Sequence, residues 1–167
     1  DFQECPGIGC TDCTFKEQIT SVRYNSYVKA MTSHHLAVRP YESFCRHNGG
    51  TEENEQFISA VHSGEITAVV VSNSHATRRL YELCLRNGVS VPDELSIICF
   101  DLPNAFRQSA NDFFTYVEQG SLEIGRIAAQ LLKEAIEKGA DARSNQILLK
   151  PTLVVHHSTS APKEAAR

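Results

Sequence analysis

The sequence predicts an α/β fold: a parallel sheet in a three-layer α/β/α arrangement. Three observations carry this. Short runs rich in β-branched residues alternate along the chain with longer stretches of helical periodicity. Two of those runs, residues 67–71 and 95–100, are apolar on both sides, as strands buried within a parallel sheet are. The length of 167 residues, with 41% hydrophobic and 22% charged, suits one globular domain with its own core.

Each element has its own signal. Residues 8–13 form a short strand candidate. Residues 18–35 place Ile19, Val22, Tyr27, Ala30 and Met31 at roughly helical spacing, closed by Ser33-His34-His35. Tyr, Phe and Cys alternate with polar residues over 41–45, a half-buried strand pattern. Asn48-Gly49-Gly50 breaks the chain, and Thr51 opens a helix that Ser63-Gly64 stops. The run 67–71 reads as a central strand. Asn73-Ser74 then starts a third helix with Ala76, Leu80, Leu83 and Cys84 on one face and Asn87-Gly88 at its end. The next strand, 95–100, ends at Asp101. Residues 114–117 form another strand, followed by a long helix over 121–138 whose inner side carries Leu122, Ile124, Ile127, Ala128, Leu131, Leu132 and Ile136. Residues 147–149 and 153–155 read as late strands around Lys150-Pro151. The sequence becomes small and polar from Ser158, so a lobe over 1–159 and a disordered tail over 160–167 are expected.

Composition narrows the classes of function. Lys plus Arg is 16 and Asp plus Glu 20, a net charge of −4, with both signs mixed in each half. No basic stripe marks a stand-alone nucleic-acid binder. The apolar run Ala68-Val69-Val70-Val71 falls far short of the ~20 residues that cross a bilayer, and no basic and apolar leader opens the chain. A cytoplasmic protein without membrane contact is expected. The six cysteines then read as reduced thiols, with Cys84 and Cys99 on core-facing positions. Cys10-x-x-Cys13 with Cys5 has part of a zinc-knuckle spacing, but a structural site needs four ligands. The adjacent His34 and His35 point about 100° apart on a helix and cannot chelate one ion together. Neither a metal nor a cofactor is expected.

In open parallel sheets, ligands bind beyond the carboxyl ends of the strands. Three residues meet that description here: Asn73 after one apolar strand, Asp101 after the next, and Arg23 early in the helix after the first. Each has a planar side chain with two polar atoms side by side. A carboxylate accepts two hydrogen bonds, a guanidinium donates two, and an amide does one of each. Together they suit vicinal hydroxyls, and Phe15, Phe100 and Tyr116 could pack on the apolar face of a sugar ring. Plainer roles stay open: Asn73 suits a helix N-cap, Asp101 a turn cap, Arg23 a surface position, and the aromatics a core.

Motifs around these residues resemble LacI/GalR-type transcription regulators. Ala68-Val69-Val70-Val71-Ser72-Asn73-Ser74-His75-Ala76 is similar to that family's Ala-Asn-Asp-x-x-Ala signature. Val91-Pro92-Asp93-Glu94-Leu95-Ser96-Ile97-Ile98-Cys99-Phe100-Asp101-Leu102 resembles its Val-Pro-x-Asp/Glu-Val-Ser-Val-x-Gly-Phe-Asp-Asp. Phe114-Thr115-Tyr116-Val117-Glu118-Gln119-Gly120 echoes Leu-Thr-Thr-Val-x-Gln-Pro, Ile124-Gly125-Arg126-Ile127-Ala128 echoes Met-Gly-x-x-Ala, and residues 149–159 resemble the closing Pro-Thr-x-Leu-Val-x-Arg-x-Ser-Thr. Arg23, Tyr27 and Ala30 match Arg-x-x-Gly-Tyr-x-x-Ala without its Gly. The order and spacing of these weak motifs, spread over residues 8–159, is what makes the match specific.

The resemblance implies a type I periplasmic-binding-protein-like effector module, of which this chain is the C-terminal lobe. Two lobes clamp a small sugar, or a related polyol or nucleoside, and closure controls DNA binding through a domain absent from this chain. GntR-type chimeras use the same module. It further implies ligand contacts at Arg23, Asn73 and Asp101, and a homodimer formed by helix 75–85 and segment 102–107, with Ala76, Leu80, Tyr81, Leu102 and Ala105 at the interface. Besides that missing Gly, further positions depart from the pattern. Ser74 and Leu102 replace aspartates, His156 replaces an arginine, and Cys99 replaces a glycine.

Rival functions are a ligand-independent dimerisation lobe, a transport solute-binding protein, and an enzyme. Asp101 sits where phospho-accepting aspartates stand, but the early acidic pair is reduced to Asp12 and only Lys150 is a late-strand lysine. With no nucleophile elbow, phosphate loop or zinc-protease motif, no catalytic residue is assigned.

Overall fold

The computed structural model describes residues 14–38, 51–102, 113–139 and 146–161. The strand candidates over 8–13 and 41–45, the cysteines at 5, 10, 13 and 45, Asp12, Ala105 and residues 162–167 lie outside this set.

Among the described residues, four helices and four strands follow one another: α1 (Thr14–Ser33), α2 (Thr51–His62), β1 (Ala68–Val71), α3 (Ser74–Arg86), β2 (Ser96–Phe100), β3 (Thr115–Glu118), α4 (Ser121–Lys138) and β4 (Thr152–Val154). The strands form one sheet in the order β1-β2-β3-β4. β1 and β2 run parallel with Val71 opposite Cys99, and β2 and β3 run parallel with Phe100 opposite Val117. β4 returns antiparallel to β3, pairing Val117 with Leu153. The sheet is therefore mixed, parallel through β3 with one antiparallel strand.

Alternation along β2 turns Ile97 and Cys99 to one face and Ile98 and Phe100 to the other. The first pair is fully buried in a core with Phe57 and Val61 of α2, Val71 of β1, Leu80 and Cys84 of α3, Leu95 and Phe114. Thr77 of α3 hydrogen-bonds the Cys99 thiol, whereas the Arg23 guanidinium of α1 lies over the Phe100 ring. α1 and α3 thus meet opposite faces of β2, the layering expected of this fold class. Burial pushes the Cys84 and Cys99 thiols up to about 11, as core positions would.

Several expectations need correction. β1 is an edge of the described sheet, and its Ala68 and Val70 are exposed. Residues 147–149 pair with nothing among the described residues and stand exposed in an irregular segment; a strand needs a ladder partner. In α1, Val22 and Ala30 are exposed, and the half-buried stripe is Arg23, Tyr24, Tyr27, Val28 and Met31. α4 has the expected bounds but no buried residue, with Leu122 88% and Ile136 74% exposed. The polar stretch from Ser158 is firmly attached. Ser158 is fully buried: its hydroxyl donates to Ile97 O at 2.6 Å and accepts from Thr115 N at 2.8 Å, while Ile97 N donates to its carbonyl at 2.7 Å. Ser160 N donates to Ser96 Oγ at 3.2 Å, so this attachment reaches into the expected tail.

Two proposed interface residues are also core residues. Ala76 and Leu80 are 3% and 0% exposed, on the face of α3 turned to the sheet, so they have no surface to offer a second copy. Tyr81 is partly buried against Phe113 and Phe114, and Leu102 packs on the same core. The apolar pattern of α3 records packing within this chain.

Candidate functional site

The carboxyl ends of β1, β2 and β3 deliver Ser72-Asn73, Asp101 and Gln119 to one edge, and α1 brings Arg23 across to them. Each position has a local cause. Asn73 is extended and caps α3, its Oδ1 accepting from Ala76 N at 2.8 Å, which satisfies one of the unpaired N–H groups of the first turn. Its Nδ2 donates to Ser72 Oγ at 3.3 Å. The capping role foreseen for Asn73 is therefore filled, with one amide hydrogen and one lone pair left over.

Asp101 adopts a left-handed backbone, φ 58°, one step beyond β2. Asp tolerates this region better than most residues. Its N–H still donates to Val117 O at 3.1 Å, so the turn is tied to β3 while the side chain leaves the sheet.

Arg23 joins the three strand ends. Its Nη1 donates to Ser72 O at 2.6 Å and its Nη2 to Gln119 Oε1 at 3.0 Å. Gln119 Nε2 in turn donates to Asp101 Oδ2 at 2.6 Å. The guanidinium carbon stands 4.4 Å from the Phe100 ring centroid, a cation–π contact that fixes its plane. Burial lowers the Arg23 pKa, and the nearby Asp101 carboxylate works against that. An arginine remains charged under such opposing effects.

The structure thus gathers Arg23, Asp101 and Phe100, with Asn73 beside Ser72 on the same edge. Phe100 carries the guanidinium on its ring, which makes it a support for Arg23 on that side. Tyr116 is not brought to this group: it lies on β3 with its ring stacked on His156, centroids 6.1 Å apart, toward the other end of the strand. Phe15 is in the first turn of α1, and its side chain is outside the described set. Gln119 was missed as a site residue, although it follows a parallel strand as Asn73 and Asp101 do. The same rule would have found it.

Among the described residues no group of His, Cys, Asp and Glu is arranged to hold a metal ion, and no helix is long and apolar enough to cross a membrane. What the edge offers is a fixed fork of donors, a carboxylate and two amides, side by side and half-buried. Such a set can bind hydroxyl groups without any bond being made or broken.

A mainly parallel sheet with polar side chains gathered at its carboxyl edge has them where open α/β sheets place their ligands. Residues 8–159 match the periplasmic binding protein-like domain, and the chain belongs to that family. It is 30% identical over 108 residues to the arabinose metabolism transcriptional repressor of Geobacillus stearothermophilus, covering 65% of this chain and 29% of that protein. It is 27% identical over 140 residues to the xylose operon regulatory protein of Haemophilus influenzae, covering 83% and 36%. Among solved structures, a LacI family transcriptional regulator from Lactobacillus casei with bound sucrose superposes with a TM-score of 0.64 at 19% identity, over 83% of this chain and 51% of that one. The transcription regulator CcpA of Lactococcus lactis gives 0.63 at 20%, over 84% and 51%. The chain spans 29–40% of the length of the curated relatives it matches.

Proposed function

We propose that this chain is one lobe of the effector-sensing module of a LacI-type transcription regulator, and that its effector is a small sugar or related polyol. The observation that carries the reading is the alignment of Arg23, Gln119 and Asp101 at the carboxyl edge, with the guanidinium plane held on Phe100. Arg23 keeps donors and Asp101 keeps an acceptor beyond those used in the relay. A diol can accept from the first and donate to the second. Asn73, already capping α3, supplies its remaining amide hydrogen and lone pair. Relatives named for arabinose and xylose regulation support a pentose-sized ligand.

In this reading the regulator works in the cytoplasm, as a homodimer, and reaches DNA through a domain beyond this lobe. The lobe is not an enzyme and needs no cofactor. Ligand bridges two lobes and binds the closed form better, so the DNA-binding state is selected by differential affinity. The lobe alone leaves half of the ligand in water and binds weakly.

Calorimetric titration of L-arabinose, D-xylose and sucrose into the full regulator tests this directly. Saturable binding of at least one sugar, with operator affinity changed in its presence, is the expected result. Absence of binding to all three at millimolar concentration, with the dimer intact, would leave a lobe that serves dimerisation alone.

A further inference from the structure

Arg23 and Asp101 carry opposite charges at a half-buried edge, yet among the described residues they form no direct ion pair. A guanidinium and a carboxylate left to themselves close into a bidentate fork that consumes two N–H groups and both oxygens. Gln119 stands between them. Its carbonyl oxygen accepts from Arg23 Nη2 at 3.0 Å and its amide nitrogen donates to Asp101 Oδ2 at 2.6 Å. A primary amide answers a cation at one end and an anion at the other without adding charge.

The two partners depend on it unequally. The plane of Arg23 is also fixed by Ser72 O and by the Phe100 ring. The Asp101 carboxylate has no side-chain hydrogen bond other than the one from Gln119 among the described residues. Its backbone is held left-handed, so rotation of the side chain alone decides where the carboxylate points.

We propose that Gln119 is a positioning residue that relays Arg23 to Asp101, keeping them as a spaced pair for vicinal hydroxyls and preventing their collapse into an ion pair. This rests on the reading that the edge takes a sugar. Gln119 acts through the two groups it separates, and removing it leaves both present but mutually satisfied.

A ligand-free measurement on this chain separates the relay from the sugar reading. In Gln119→Glu, the protonated acid reproduces the amide: its carbonyl accepts from Arg23 and its O–H donates to Asp101. The ionised form cannot donate and faces the Asp101 charge. Arg23 from α1 and Asp101 beyond β2 are the charged groups placed against this position among the described residues, and Glu118 beside it on β3 is exposed. A relay raises the folded-state pKa of the introduced carboxyl above its unfolded value, so the stabilisation is present at low pH and lost as pH rises. The thermal midpoint is expected near that of the parent at pH 4.5 and several degrees below it at pH 8. A constant difference means a carboxyl that answers to neither partner, and a variant that gains on the parent as pH rises means one that answers to Arg23 alone; either result overturns the relay. With L-arabinose as probe in the full regulator, Gln119→Leu is expected to weaken binding at least tenfold with Arg23 and Asp101 untouched. Unchanged affinity also overturns it. If the parent binds no sugar, the effector reading fails, while the ligand-free comparison still decides the relay.

Discussion

The two ends of this sheet carry hydrogen-bond networks of opposite character. At the amino ends of β2 and β3, Ser158 joins Ile97 O to Thr115 N, and Thr115 Oγ1 accepts from His156 N at 2.9 Å and lies 2.9 Å from Thr159 Oγ1. These groups are neutral and largely buried, and most of the bonds end on backbone. At the carboxyl ends, the groups are charged or amide, half-buried, and bonded side chain to side chain. A closed network of neutral groups holds a fold, because nothing in it remains to bond elsewhere. An open network of planar groups keeps valences for something outside the chain. On the proposed reading, the same sheet separates stability from recognition by about the length of a strand.

The largest effect that would break this division lies at Asp101. Asp101→Ala is expected to abolish the response of the full regulator to its sugar, with affinity down about 100-fold or more, since each lost bond to a charged group is worth about 1.5–3 kcal/mol. Alanine also fits the left-handed backbone poorly, at a cost of about 1 kcal/mol in stability. Asp101→Asn tolerates that conformation and should lose the ligand without the stability penalty. Titration calorimetry beside urea unfolding distinguishes the two losses. Retained affinity in both variants would remove Asp101 from the site.

The mirror experiment is at the other end. Ser158→Ala leaves the buried Thr115 N–H and Ile97 carbonyl each without the hydroxyl that satisfied it. The expected cost is about 1–3 kcal/mol of unfolding free energy. Sugar affinity should stay within about twofold of the parent, because no ligand-facing group is touched. A larger change in affinity than in stability would mean that the two ends of the sheet are coupled.

Much of this division was legible in the sequence, and what was not has physical reasons. The strands β1, β2 and β3 and the helices α2, α3 and α4 announce themselves by periodicity, and the rule that ligands sit beyond strand ends picks out Asn73 and Asp101 before any coordinates. Gln119 answers to the same rule, directly after β3, but its part as a bridge depends on two distant partners that no local pattern ties to it. The part Ser158 plays was not legible because a small polar residue near the expected tail carries no packing signal, and only the β2–β3 pairing reveals what the hydroxyl satisfies. Ala76 and Leu80 show a different limit. An apolar stripe on a helix says that the face is covered, not whether the cover is the same chain or a second copy. Here it is the same chain. Tyr116 carries a plausible residue type, but its position along the strand depends on a pairing the sequence does not show, and its ring meets His156.

The smallest expected effect gives the finest separation, at Asn73, where the proposed reading asks one side chain to serve both purposes. Its Oδ1 caps α3 and its amide nitrogen donates to Ser72 Oγ at the carboxyl edge. Asn73→Ala removes both and should cost about 1 kcal/mol of stability, the usual value of an N-cap. Asn73→Ser restores an oxygen that can accept from the same backbone N–H, so stability should return to within a few tenths of a kcal/mol of the parent. A hydroxyl engaged in capping cannot reproduce the second donor that an amide offers, so sugar affinity should remain reduced in the serine variant, by about tenfold if one bond to the ligand is lost. Recovery of both properties in Asn73→Ser would make Asn73 a cap alone, and would confine the open network to Arg23, Gln119 and Asp101.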